Sequence, residues 1–225
     1  MDELKRAAGY RAADFVMPGM VVGLGSGTTA RYATLRIGQR LREGTLHDIV
    51  GIPTSRETGR LAEREGIRLT TLEEESRIDV TIDGADEVDP HLDLIKGLGG
   101  FLLREKIVAS VTEQEIIVVD DSKLVPVLGS RSPLPVEVLR FGWRCTEAAL
   151  DRTGAETTLR LSDGHPYVTD EGNYIIDCRY DTITAPKELA LALNGIPGVV
   201  ENGLFLGLAH IVVVASHGGI DIRKR

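Results

Sequence analysis

Between Met20 and Asp120, short apolar runs alternate with amphipathic stretches of helical length, and glycine or capping residues stand at the junctions. Met20–Leu24, Ile49–Ile52, Ile67–Thr70, Ile78–Ile82 and Glu115–Asp120 read as buried strands. Ahead of them, residues 2–16 read as a helix with Asp2 as N-cap and Leu4, Ala7, Ala8, Ala12 and Phe15 as its apolar stripe. Pro18-Gly19 turns this helix into the first strand. One further helix ends near Arg42. A second is capped by Thr54 or Ser55 and runs to Glu65, with Gly66 at the position of a helix-ending glycine. A third covers Phe101–Ser110. Strands separated by helices require right-handed crossovers, so the expectation is an α/β fold with a parallel sheet covered on both faces. Aromatic residues make up only 4% of the chain, so Val, Ile, Leu and Ala must fill the core, as such a sheet requires.

The rhythm changes after Lys123. Pro126, Pro133 and Pro135 punctuate a connector before a strand at Val136–Leu139. A helix at Trp143–Arg152 and an extended run at Thr157–Leu161 follow. Asp163-Gly164 marks a tight turn, and Tyr174–Asp177 reads as strand. A helix over Pro186–Leu193 stops at Gly195 and Pro197. This α+β pattern sets off a smaller subdomain at 126–200, after which the apolar strand Ile211–Ala215 returns to the first sheet.

A net charge of −8 argues against nucleic acid as a general partner, because neutralising phosphates takes a basic surface. It leaves room for a small anion in a locally positive pocket. No apolar run approaches the roughly 20 residues of a membrane span, and Met1-Asp2-Glu3-Leu4-Lys5 opens no signal peptide. Cys145 and Cys178 are isolated thiols without ligand spacing, which reads as small hydrophobes in a reducing compartment. The expected setting is the cytoplasm.

Three segments carry chemistry. Gly23-Leu24-Gly25-Ser26-Gly27-Thr28-Thr29-Ala30 lies at a strand-to-helix junction, where bare amides and three hydroxyls suit a phosphate. It matches neither the dinucleotide fingerprint, which needs a further glycine, nor the Walker loop, which needs a closing Lys-Ser/Thr pair. Thr81-Ile82-Asp83-Gly84-Ala85-Asp86-Glu87 follows a buried strand and brings Asp83 and Asp86 to the carboxyl end of the sheet. Two carboxylates there can bind sugar hydroxyls, move protons or hold Mg²⁺. Ile95-Lys96-Gly97-Leu98-Gly99-Gly100 sets a lysine before a glycine turn, and Arg104-Glu105-Lys106 follows on the helix. Taken alone, Glu105 in the second turn reads as part of a solvated charged face. The histidines at 47, 91, 165, 210 and 217 are scattered without zinc spacing, and no GxSxG is present.

In this order and at these separations the three segments resemble the A-type ribose-5-phosphate isomerase family. The resemblance continues through Asp120-Asp121-Ser122-Lys123, Pro133-Leu134-Pro135-Val136-Glu137-Val138 and Ile196-Pro197-Gly198-Val199-Val200-Glu201-Asn202-Gly203-Leu204-Phe205. It implies a Rossmann-like parallel sheet (1–125 plus 201–225) carrying catalysis, an α+β subdomain at 126–200, and assembly as a homodimer or homotetramer. By matched position, the resemblance implies that Glu105, Asp83, Asp86 and Lys96 are catalytic. The implied sugar-phosphate site comprises Ser26, Gly27, Thr28, Thr29, Asp83, Gly84, Ala85, Asp86, Lys96, Gly97, Leu98, Gly99 and Lys123, with neither metal nor organic cofactor. Glu105 would be the proton acceptor, Lys96 the stabiliser of the enediolate oxygen, and Asp83 or Asp86 the ring-opening group. Leu98 stands where many members have glycine, and Ser26-Gly27-Thr28-Thr29 where others read Thr-Gly-Ser-Thr. Three rivals remain at this point: a non-enzymatic sugar-phosphate sensor, a nucleotide-dependent oxidoreductase, and a Mg²⁺ enzyme built on Asp83, Asp86 and Glu87.

Overall fold

The computed structural model describes residues 2–225. In chain order its elements begin with α1 (Asp2–Ala13), β1 (Val21–Leu24), α2 (Ala30–Arg42), β2 (Val50–Pro53), α3 (Arg56–Arg64) and β3 (Ile78–Gly84). The short strands β4 (Glu87–Val88) and β5 (Leu94–Ile95) precede α4 (Leu102–Ser110), β6 (Thr112–Asp120) and a single tight helical turn at Asp121–Lys123. Then come β7 (Leu134–Val138), α5 (Trp143–Asp151), β8 (Glu156–Leu159), β9 (Leu161–Ser162), β10 (His165–Pro166) and β11 (Tyr174–Arg179). The chain closes with α6 (Pro186–Asn194), β12 (Val199–Asn202), β13 (Leu204–Phe205), β14 (Ile211–Ser216) and β15 (Gly219–Lys224). Among the described residues no helix is long and apolar enough to cross a membrane.

Packing divides the chain into two units. The first comprises 2–85, 104–123 and 207–225. Its sheet runs β15-β14-β6-β3-β1-β2, parallel throughout except for the antiparallel edge strand β15. Because β1 pairs with β2 on one side and β3 on the other, the strand order reverses beside β1. In open α/β sheets that reversal opens a crevice at the carboxyl ends of the strands. Ala8, Ala12, Ile37, Val22, Ile82, Val118 and Val213 belong to one fully buried core between sheet and helices. The α1 and α2 helices lie close at Gly9, where a Cβ would meet Tyr32 and the backbone of Ala33. Ser55 caps α3 as expected, its Oγ accepting from the Thr58 amide at 3.0 Å, and Gly66 ends the segment at φ +78°.

Three local expectations need correction. The first helix stops at Ala13, where reverse-turn bonds from Asp14 and Phe15 take over, and Asp2 lies inside its first turn. The run 67–70 forms only an isolated bridge between Leu69 and Gly51, because β2 is a four-residue edge and acidic residues 73–75 follow. Strand β15 was not anticipated. Its six residues are mostly exposed and give no apolar run.

The second unit comprises 86–103 and 124–206. The segment 86–103 therefore packs with the smaller unit, although its place in the chain suggested the sheet unit. An antiparallel sheet in the order β12-β7-β11-β8 meets α5 and α6 over a core that includes Leu134, Val136, Leu150, Ile176 and Leu193. The expected Asp163-Gly164 turn joins β9 to β10 with φ of 52° and 78°. Beside it, β13, β5 and β4 form a three-stranded sheet. Glu87 on β4 is fully buried, and its carboxylate accepts from the amides of Gly129, Arg131 and Ser132, so the proline-punctuated connector is tied down by three charge-assisted bonds.

Candidate active site

In the sheet unit the glycine-rich loop leaves β1 and is tied to the end of β3. The Gly25 amide donates to Ile82 O at 3.0 Å, and the Ser26 amide donates to Asp83 Oδ1 at 3.0 Å. The same carboxylate oxygen accepts from the Gly84 amide at 2.7 Å. Asp83, 1% exposed, thus braces two loops at once. Gly25 is required by this closeness, since a Cβ there would strike Ile82 O and the Asp83 backbone and side chain. Gly25→Ala is therefore expected to destabilise the protein by about 1–3 kcal/mol, a drop of roughly 2–10 °C in melting temperature, as an overpacked site does. Thermal unfolding checks it, and an unchanged transition would show that the loop is not held so tightly.

Beneath the loop, Ser26 Oγ joins a buried group of hydroxyls, 2.8 Å from Thr54 Oγ1, 2.8 Å from Ser55 Oγ and 3.1 Å from Thr58 Oγ1. Thr54 and Thr58 in turn donate to the carbonyls of Leu24 and Gly25. The Ser26 hydroxyl therefore lies within the scaffold of the loop. Gly27, at φ +95°, and Thr28 face a cavity of about 200 Å³ that Arg31, Thr58 and Arg64 also line. Thr29 occupies the N-cap of α2 without a side-chain cap bond, so the amides of that first turn are not satisfied by their own cap residue. Lys5 Nζ reaches across from α1 to donate to Thr28 Oγ1 at 2.9 Å. Lys5 was missed by the sequence reading, and its separation of 23 residues from Thr28 explains why. After β6, Asp120 accepts from the Ser122 amide at 3.1 Å and from the Ser122 hydroxyl, shaping the turn that presents Lys123, itself half-buried.

Glu105 lies in the first turn of α4, a turn earlier than expected, because the helix starts at Leu102. It is buried (6% exposed) and shares the inward face of the helix with Leu102, Val108 and Ala109, so it is not part of a solvated charged face. The first turn of a helix favours a negative charge, since free amides and the helix dipole point toward it.

In the smaller unit, Lys96 follows β5 and is 3% exposed. Its Nζ stands 5.3 Å from the centroid of the Phe205 ring, and its backbone N–H donates to Gly203 O at 2.9 Å. Asp86, half-buried, accepts from the Leu98 amide at 2.9 Å. Leu98 contributes through that N–H, while the residue is 40% exposed, so a leucine in place of glycine is accommodated at the surface of the turn. Gly97 and Gly100 hold φ of +107° and +88°, which only glycine takes up readily. Gly84 and Ala85 close the first unit's part of the acidic loop, and Gly99 continues the turn after Leu98.

Comparison with known proteins adds an independent line. Residues 50–219 match the family model described as ribose 5-phosphate isomerase A (phosphoriboisomerase A). The chain is 56% identical over 223 residues to ribose-5-phosphate isomerase A of Gloeobacter violaceus, covering 99% of this chain and 96% of that protein. It is 52% identical to the Chloroflexus aurantiacus protein of the same name, covering 96% and 91%. A solved D-ribose-5-phosphate isomerase in complex with phospho-erythronic acid superposes with a TM-score of 0.97 at 40% identity, covering 99% and 98%. The Methanocaldococcus jannaschii enzyme superposes at 0.94 and 42% identity, with 99% of each chain covered.

Proposed function

Because the chain belongs to the ribose 5-phosphate isomerase A family and so interconverts ribose 5-phosphate and ribulose 5-phosphate, we propose that Glu105 is the base that carries the proton. The observation that carries this reading is a carboxylate buried in the first turn of α4, one glycine turn after a buried lysine. Aldose–ketose isomerisation takes a proton from C-2 of the open-chain aldose and returns it to C-1. One carboxylate on a rigid helix can serve both carbons if they lie within hydrogen-bond reach.

Removing that proton leaves an enediolate, whose oxygen needs positive charge already in place. Lys96 supplies it, and its burial against Phe205 keeps the ammonium out of water, where its field is stronger. Ribose 5-phosphate is mostly a closed ring, so a second group must exchange a proton with the ring oxygen. We assign this to Asp86, the more accessible of the two aspartates, and give Asp83 the bracing of the loops and the holding of a hydroxyl. Gly27, Thr28, Thr29 and the amides opening α2 suit the phosphate, with Lys5 and Lys123 as cations. Ser26, Gly84, Ala85, Gly97, Leu98 and Gly99 act through backbone and position. The phosphate then provides remote binding energy that aligns the reacting carbons. A relative bound to phospho-erythronic acid supports a site that accepts a phosphate at one end and an anion at the other.

The reaction lies in the non-oxidative pentose phosphate pathway, and we place it in the cytoplasm, in a homodimer or homotetramer. The nearly bare Phe141 and Leu191, 95% and 76% exposed, are apolar side chains that self-assembly would cover. Because Lys96 supplies the positive charge, the scheme needs no metal. Ketose formation from ribose 5-phosphate is expected to run at the full rate in excess chelator. Activity lost to chelator and restored by Mg²⁺ would favour the metal-dependent alternative. Binding of the sugar phosphate without turnover would favour the sensor.

A further inference from the structure

The turn that follows Lys96 is rich in glycine, and glycine gives up more conformational freedom on ordering than any other residue. Something must hold it in one shape. Within the smaller unit that task falls to Arg160, just past the end of β8, whose side chain is 13% exposed. One edge of its guanidinium grips Asp177 of β11: Nε donates to Oδ2 at 2.9 Å, and Nη2 pairs with Oδ1. The remaining nitrogen, Nη1, donates to Gly97 O at 2.8 Å and to Leu98 O at 3.0 Å. The backbone of Arg160 is itself tethered, its N–H donating to Ile175 O and its carbonyl accepting from the Tyr167 amide. Tyr167 lies against Gly100, where any Cβ would strike its ring.

One peptide plane receives both ends of this arrangement. The carbonyl of Gly97 and the N–H of Leu98 belong to the same peptide group. The first accepts from Arg160 and the second donates to Asp86 Oδ2. A donor on the carbonyl polarises the amide and strengthens the N–H at its other end, and it also fixes the orientation of the plane. Beyond the ion pair, the free nitrogen of the guanidinium bridges two successive carbonyls of this turn, so one side chain constrains the turn and β11 together. Lysine could not replace the arginine, because a point charge cannot grip a carboxylate with two nitrogens and still reach the turn with a third.

We propose that Arg160, anchored by Asp177, is a positioning residue that sets the Gly97–Leu98 peptide and through it holds Asp86 and the turn after Lys96 in their working geometry. This inference rests on the roles assigned above to Asp86 and Lys96. The test uses the full chain and compares Arg160→Met, Arg160→Lys, Asp177→Asn and Asp86→Asn in initial-rate kinetics, inhibition by inorganic phosphate, and thermal unfolding. Arg160→Met is expected to lower kcat on the order of 10- to 100-fold, the scale on which small misplacements of catalytic groups act, with KM and phosphate inhibition nearly unchanged. Arg160→Lys should fail to restore the rate. Asp177→Asn, which alters a side chain that is 22% exposed and does not touch the turn, should lower kcat in the same direction and keeps the test informative if the arginine variants fold poorly. The Arg160→Met/Asp177→Asn double variant should be no slower than Arg160→Met, because both remove one device. Wild-type kcat in folded Arg160 or Asp177 variants, with only a lower melting temperature, would overturn the inference. If Asp86→Asn is slow while those variants are not, the inference alone falls. If Asp86→Asn is fully active, the role given to Asp86 falls with it.

Discussion

Glu105→Gln is expected to lower kcat by about 100- to 10,000-fold while leaving KM and inhibition by inorganic phosphate close to wild type. Glutamine has the same shape, so the inward face shared by Leu102, Val108 and Ala109 stays filled and the helix keeps its start. What disappears is basicity, since an amide oxygen can accept a hydrogen bond but cannot carry the proton from C-2 to C-1. The elements we assign to the phosphate belong to a different loop, so ground-state binding should survive. Initial-rate kinetics with ribose 5-phosphate, alongside the melting temperature, separates lost chemistry from lost structure. A variant that keeps its rate would remove Glu105 from the mechanism.

Lys96→Met is expected to cost about 100- to 1,000-fold in kcat, the scale of removing one preorganised donor from an oxyanion. Methionine follows the path of the lysine stem and can pack on Phe205, so the loss should fall on charge more than on volume. Lys96→Arg should recover little, because Lys96 is only 3% exposed and a longer planar fork does not fit the same point. Rates are the readout again. Unchanged kcat in Lys96→Met would mean that the enediolate is stabilised by some other group.

The parallel sheet was legible because its signals are local. Apolar runs such as Met20–Leu24 alternate with helices whose starts and stops carry their own chemistry, as at Ser55 and Gly66. The return of Ile211–Ser216 beside β6 followed from its unbroken apolar character, which only a doubly covered strand tolerates. Strand β15 gave no such signal, because an edge strand facing solvent carries Gly, Asp, Arg and Lys. The opposite error at 67–70 has the same root: apolar residues there fill the core, but the neighbouring edge offers only Gly51 for pairing.

The site was legible in its motifs and less so in its physics. Nothing adjacent to Glu105 announces burial, since Arg104 and Lys106 flank it. Counting helical phase from Leu102 to Val108 and Ala109 would have turned it inward. Ser26 looked like a ligand-facing hydroxyl in its loop, and its link to Thr54, Ser55 and Thr58 appears only once β2 and α3 fold beside β1. Lys5 and Arg160 act across long stretches of chain, on Thr28 and on Gly97 and Leu98, so neither forms a pattern that a local reading can detect.

The role of Glu105 is tested most directly by proton exchange. The C-2 proton signal of ribose 5-phosphate would be followed by NMR in D₂O with wild-type and Glu105→Gln protein at equal concentration, each shown to bind the sugar phosphate. Wild type is expected to wash deuterium into substrate and product over many turnovers, while Glu105→Gln leaves the C-2 signal intact over the same time. Exchange by Glu105→Gln at the wild-type rate would show that another group takes the proton and would contradict the mechanism at its centre.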